Sequence, residues 1–293
     1  MTKFSIMNYS STVLTQPLYF HKFLNSIDDC QSILFPNAND IFLVYDEFQP
    51  DYSIINVGAE IDNIVAYNRE SKTKVKHILN IDYITHEEAK MVGSFLKGEV
   101  KENKLECALV FSSNLAHKNI DFGHPYVNVP NCADTNIDIH PQKFDIDTAV
   151  IIERAADKKE YKGSCHFLNT FNTDKTSGAD AYTNNFVSAK MFVNYKNIVF
   201  RNIDHQNIPE VFWNALYFGN QVYLDVEDKD ALANVNSALS KLLKTEINID
   251  YDKKEKYDTK AMREVILAKH SPKNRIKTLF SNVGKLHDVT QKI

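Results

Sequence analysis

The stretch IPEVFWNALYFGNQVYLD, residues 208 to 225, gathers groups that can act on an anion. Pro209 suits the first turn of a helix, where its missing N–H is no loss, and Gly219 suits a left-handed stop. The spacing predicts a short helix over 209–217 followed by a strand, QVYLD. A helix start offers unpaired N–H groups and a partial positive charge to a phosphate. Glu210, in its first turn, either accepts hydrogen bonds from hydroxyls or simply complements the helix N-terminus. Further along, from Lys253 to Leu286, ten Lys or Arg stand against three Asp or Glu. That excess of +7 leaves −11 for the rest of a chain whose net charge is −4. Such a patch attracts a phosphate-bearing substrate, and a solvated helical face explains it equally well.

The same composition excludes other chemistry. With only eight glycines in 293 residues, no phosphate loop of the GxGxxG or GxxxxGK type is present. Cys30, Cys107, Cys132 and Cys165 form no CxxC pair, so neither a zinc site nor a disulfide framework is predicted. Asp145 and Asp147 make a DxD pair, but in a stretch that reads as a linker, and no metal site is assigned to them. No apolar stretch approaches the roughly 20 residues that cross a bilayer, and no basic segment precedes a long apolar run near the N-terminus. The expectation is a soluble, cytoplasmic protein without a membrane span.

The elements that must position these groups alternate. Strands are predicted over 4–9, 51–56, 76–81, 106–113 and 126–131, with helices through Leu18 to Leu24 and over 40–48, 59–72 and 86–98. Ile41, Val44, Tyr45 and Phe48 follow the i, i+3, i+4, i+7 rule, and Pro50 stops that helix. The pattern lapses over 136–147 and restarts with a strand over 148–154. The boundary is therefore set between domains 1–143 and 144–293. In the second half, Leu232, Val235, Leu239, Leu242 and Leu243 line one face of a helix over 229–243. Ser271 and Pro272 open another, with Ile276, Leu279, Phe280 and Val283 as its apolar stripe and Gly284 as its terminator. Strands separated by helices of this length argue for parallel βαβ units and an α/β fold.

This order of elements resembles the GT-B glycosyltransferases, whose two Rossmann-like domains face each other across a cleft. In their large retaining group and its spore-maturation-type relatives, a segment runs Pro-Glu-x-Phe-x-Glu-Ala-Leu-x-x-Gly, then a strand, a polar turn and a helix. Residues 208 to 243 are similar over about 35 positions, and AMREVILAKHSPKNRIKTLFSNV is similar to the closing helices. FQPDYSIIN resembles the Pro-Asp plus strand unit of the first domain. The resemblance implies a nucleotide-sugar donor, most readily a UDP-sugar, on the second domain, with no cofactor required. Its Arg-x-x-x-x-Lys spacing after the first strand of that domain falls on Arg154 and Lys159, with Lys158 adjacent, as cations for the donor diphosphate. Gln206, Pro209, Glu210 and Asn214 complete the implied donor site. The chain departs from the pattern in carrying Glu160 for the glycine after the lysine, and amides at Gln206 and Asn214 where acids are usual. Amides still hydrogen-bond a hydroxyl but supply no charge.

On the acceptor side, His124, His117, Asp46 and Glu47 are the base candidates in the first domain, with His124 and Asp46 favoured. The acceptor is a carbohydrate or, as in bacteriophage DNA glycosyltransferases, a hydroxymethylated base in DNA. The acidic net charge does not favour DNA. The two amides equally fit a catalytically inactive scaffold of the same fold that binds a nucleotide, a glycan or a protein.

Overall fold

A computed structural model describes residues 1–7, 15–35, 40–57, 75–82, 84–103, 106–135, 147–152, 161, 165–169, 195–201, 203–253, 255–286 and 289–290. The chain divides into two compact units, Met1–Pro130 with Arg275–Ile293, and Asn131–Asn274.

The first unit is built on a six-stranded sheet in which every strand pair is parallel. Its elements are β1 (Thr2–Met7), α1 (Thr15–Leu24), β2 (Cys30–Phe35), α2 (Ile41–Leu43), β3 (Tyr52–Asn56), β4 (Lys76–Asn80), α3 (His86–Asn103), β5 (Cys107–Ser112) and β6 (Tyr126–Asn128). The strand order is β2-β1-β3-β4-β5-β6. Strands β3 and β4 are buried along nearly their whole length, the polar Ser53, Asn56, His77 and Asn80 included, as a parallel sheet covered on both faces requires. The expected helix over 40–48 is present in altered form. Only Ile41–Leu43 is α-helical, and the chain widens into a π-helical turn (Val44–Phe48) that Gln49 ends in the left-handed region at φ 51°. The expected helix over 59–72 lies outside the described residues.

The second unit holds a four-stranded parallel sheet, order β10-β9-β7-β8. Its strands are β7 (Thr148–Ile152), β8 (His166–Asn169), β9 (Asn197–Arg201) and β10 (Gln221–Asp225). Its helices are α4 (Glu210–Tyr217), α5 (Lys229–Leu243) and α6 (Thr259–Lys269). Pro209 is the residue that caps α4 rather than its first helical residue, and Gly219 is left-handed at φ 83°, as its place after the helix predicts. The core is aromatic around α4: Phe212 packs on Phe200 of β9, and Trp213 stacks on His270 at 4.2 Å.

The chain returns to the first unit as α7 (Pro272–Ser281), whose Ile276, Leu279 and Phe280 are buried, Phe280 stacking on Phe4 of β1 at 5.3 Å. Gly284 does not terminate α7. That helix ends at Ser281, and Gly284 opens a 3-10 turn (Gly284–Leu286) without a positive φ. The division also differs from the expected boundary at 143/144: the second unit starts at Asn131, and Arg275 onward belongs to the first.

Candidate functional site

Parallel sheets bind ligands beyond the carboxyl ends of their strands, at the point where successive connections leave in opposite directions. In the second unit β8 lies on one side of β7 and β9 on the other, so this switch point falls between β7 and β9. The residue that ends β9 is Arg201, and in the cross-strand register it faces Asp225, the residue that ends β10. Arg201 Nη1 is 3.1 Å from Asp225 Oδ2 and Nη2 is 2.7 Å from Glu227 Oε1. The Tyr161 hydroxyl donates to the same Asp225 oxygen. Burial opposes the Arg201 charge, but the bonds to Glu227 and Asp225 outweigh it and hold the guanidinium above its ordinary value. Burial and the Asp225 carboxylate push the Tyr161 hydroxyl up, so it stays a donor.

Helix α4 starts at the same edge, directly after the loop from β9. No side chain caps it. By contrast, Asp228 caps α5 by accepting from the N–H groups of Asp230 and Ala231, and Asp258 does the same for α6. The start of α5 is thus closed by its own carboxylate, whereas that of α4 has no side-chain cap.

In the first unit the switch point lies between β1 and β3. Buried amides bridge it: Asn56 Nδ2 donates to the Met7 carbonyl at 3.1 Å, and Asn80 Nδ2 to Asn56 Oδ1 at 2.7 Å. The relay continues through the Asp82 N–H, which donates to Asn80 Oδ1, to the Asp82 carboxylate, which accepts from the Ser113 N–H and from Arg275 at 2.6 Å. Beside it, Ser112 Oγ lies 3.0 Å from Nδ1 of the fully buried His117, whose ring stacks on His86. Burial lowers the His117 pKa, partly opposed by Asp82.

No protein-family model matches the sequence, and no curated protein is similar to it in sequence. Solved structures do match. A glycosyltransferase from Rickettsia africae ESF-5 aligns over 97% of this chain and 98% of its own, with a TM-score of 0.50 at 10% identity. The fold is that of GT-B glycosyltransferases. Spinosyn forosaminyltransferase SpnP aligns over 99% of both chains at a TM-score of 0.46 and 9% identity. The glycotransferase of kitacinnamycin aligns over 99% of this chain and 97% of its own, at 0.38 and 9%. At 10% identity the likeness to the first of these is one of fold.

Within the GT-B frame, the expected site residues separate. Gln206 is exposed in the loop before α4, its N–H held by Asp204 Oδ1 at 2.9 Å. Pro209 and Glu210 stand half-buried at the α4 start. Asn214, one turn further, is only 1% exposed, and its Oδ1 accepts the Asp134 N–H at 2.7 Å. That bond helps tie the segment entering the second unit along α4, with Asn131 Nδ2 donating to the Ile208 carbonyl. Asn214 thus holds a structural bond to the Asp134 backbone. An amide suits the position because it accepts that N–H without burying a charge. Arg154, Lys158 and Lys159 follow β7 and lie outside the described residues.

His124 and Asp46 both lie at the amino edge of the first unit's sheet. His124 sits in the turn that leads into β6, half-buried, its pKa lowered by burial against a hydrogen bond with the Cys107 backbone. Asp46 lies in the π-helical turn that leads into β3, beside Phe48, whose carbonyl accepts from Lys3 Nζ near the start of β1. These are amino ends of strands, opposite the edge where a parallel sheet binds ligands. His117 is at the carboxyl edge. Sequence reasoning missed Arg201, Asp225, Glu227 and Tyr161. The available signal was a charge directly after each apolar strand run, in IVFR and VYLDVE. Among the described residues no group of three His, Cys, Asp or Glu is arranged to hold a metal ion, and no helix is long and apolar enough to cross a membrane.

Proposed function

We propose that this chain moves a sugar from a nucleoside-diphosphate sugar, a UDP-sugar first, to a hydroxyl acceptor, with the donor nucleotide on the carboxyl edge of the second unit. The observation that carries this is the uncapped start of α4 at the switch point of a GT-B sheet. The positive end of a helix is suited to a diphosphate. In this reading Arg154, Lys158 and Lys159 add the cations that the departing diphosphate needs as its charge develops. Gln206 and Glu210 meet hydroxyls of the donor. The bond between the anomeric carbon and the diphosphate oxygen breaks, the electron pair leaves with the diphosphate, and the acceptor oxygen bonds the carbon and gives up its proton. The acceptor belongs to the first unit and is a carbohydrate sooner than DNA, given the net charge of −4.

The test is a thermal-shift titration with UDP, GDP and their sugars. A ligand that binds only the folded state raises Tm by mass action, with about 2.7 kcal/mol of stabilisation at a hundredfold excess over Kd. Arg154→Ala and Lys159→Ala are expected to abolish the response. Absence of any shift in the unaltered protein overturns the proposal. A non-catalytic scaffold is the second reading, favoured by the burial of Asn214 in a structural bond. Release of free sugar or its transfer by the purified protein dismisses it.

A further inference from the structure

Six large apolar side chains are exposed among the described residues, and two of them are neighbours: Phe42 at 44% and Leu43 at 65%. They stand where α2 widens into the π-helical turn, while Ile41, Val44 and Tyr45 of the same segment are buried in the core. Asp46 and Glu47 are exposed with them, so two apolar groups and two carboxylates face solvent on one short segment. The backbone there is unusual as well. A π-helical turn is rare and frequently marks a functional site. Gln49 ends it at φ 51°, a left-handed conformation that residues other than glycine seldom adopt. An acidic and apolar knob on such a backbone complements a surface that is basic and apolar.

This chain carries such a surface itself. Helix α6 lies in the stretch 253–286, whose excess of +7 stands against −11 for the rest. Its exposed side holds Leu267, 37% exposed, one turn from Arg263, with Lys260 before it. The Arg263 guanidinium lies over the Tyr217 ring at 4.9 Å. Stacking fixes the guanidinium plane and leaves its N–H edge for a carboxylate. Among the described residues no ion pair uses Arg263, and none uses Glu47. We propose that the π-helical turn of one copy docks on α6 of a second copy, Glu47 meeting Arg263 and the Phe42–Leu43 pair meeting Leu267. The patch is small beside a standard interface of about 1,600 Å², so the association is weak and sensitive to salt. The contact does not depend on the nucleotide-sugar reading.

Sedimentation velocity of the full chain over about 1–500 µM, where small interfaces associate, tests this. The mean sedimentation coefficient should rise with concentration, and less so in about 1 M NaCl, where the Debye length is about 3 Å. Glu47→Arg and Arg263→Glu each oppose like charges across the contact and should raise the apparent Kd at least about tenfold. Both side chains are exposed, so both variants are expected to fold, and unchanged circular dichroism spectra check this. Mixed in equal amounts, the two variants again oppose unlike charges, and association should return. Because Arg263→Glu also loses its stacking on Tyr217, that return separates charge pairing from a local change. Leu43→Ser should weaken association while leaving its salt dependence. An unaltered protein that stays monomeric at every concentration overturns the proposal and leaves the turn to a basic partner of another kind. So does association that neither charge reversal weakens, or a loss that mixing fails to restore.

Discussion

His77 shows at the level of one residue how burial sets protonation. Its Nε2 lies 3.1 Å from the Tyr45 hydroxyl and its Nδ1 3.4 Å from the Glu106 carbonyl. Burial pushes the imidazole down from 6.5 to about 4, against that carbonyl bond. The folded protein therefore holds His77 neutral where the unfolded chain protonates it. Its contribution is complete above pH 6.5 and is lost as pH falls from there through about 4, a change of about 3 kcal/mol. His77→Gln removes the titration while retaining a partner for Tyr45. Urea unfolding at pH 7 and pH 4.5 should show a smaller loss in the variant than in the unaltered protein. Asn214 supports a second prediction. Asn214→Ala should cost about 1–3 kcal/mol, because the Asp134 N–H is left unmatched. Asn214→Glu, which restores the acid usual in the resembling enzymes, should cost more, since it buries a charge, and should not tighten UDP binding. Tighter binding would show that the position faces the ligand after all.

At the level of elements, local signals carried far and register did not. Pro209, Gly219 and the 3.6-residue stripe of α5 made the helix-strand-helix segment over 209–243 legible, because each acts within a few residues of itself. The facing of Arg201 and Asp225 was not legible, since it depends on which strands are neighbours and on their offset. The edge to which His124 and Asp46 belong was legible: each precedes a predicted strand, and in a parallel sheet that places it at the amino end. Helix α3 offers a clean contrast between two glycines. A Cβ at Gly93 would stand 2.8 Å from the Asp121 carbonyl oxygen, while one at Gly98 meets nothing within 4 Å. Gly93→Ala should therefore destabilise by about 1–3 kcal/mol, and Gly98→Ala should stabilise by up to about 1 kcal/mol through helix propensity. Denaturant midpoints at constant slope test both. Equal shifts for the two variants would exclude the close approach as the cause.

For the molecule as a whole, the sequence announced two α/β units but placed their seam too late. The pattern lapses over 136–147, whereas the seam after Pro130 carries no such signature. The return of α7 to the first unit was also hidden. It is secured by Arg275 and Asp82, side chains 1% and 2% exposed, far apart in sequence. Removing one partner of a buried pair leaves the other uncompensated, so Arg275→Met should cost about 3–5 kcal/mol. Asp82→Asn combined with Arg275→Met should recover part of that loss, and a double variant no better than the worse single one would contradict the pairing. The split also bears on synthesis. Because 131–274 is one continuous run, the second unit can collapse while the polypeptide is still being made. The first unit must wait, its sheet laid down early yet lacking Phe280 against Phe4 until the segment from 275 onward leaves the ribosome. A nascent chain stalled near 130 should accordingly be the stage most dependent on chaperones.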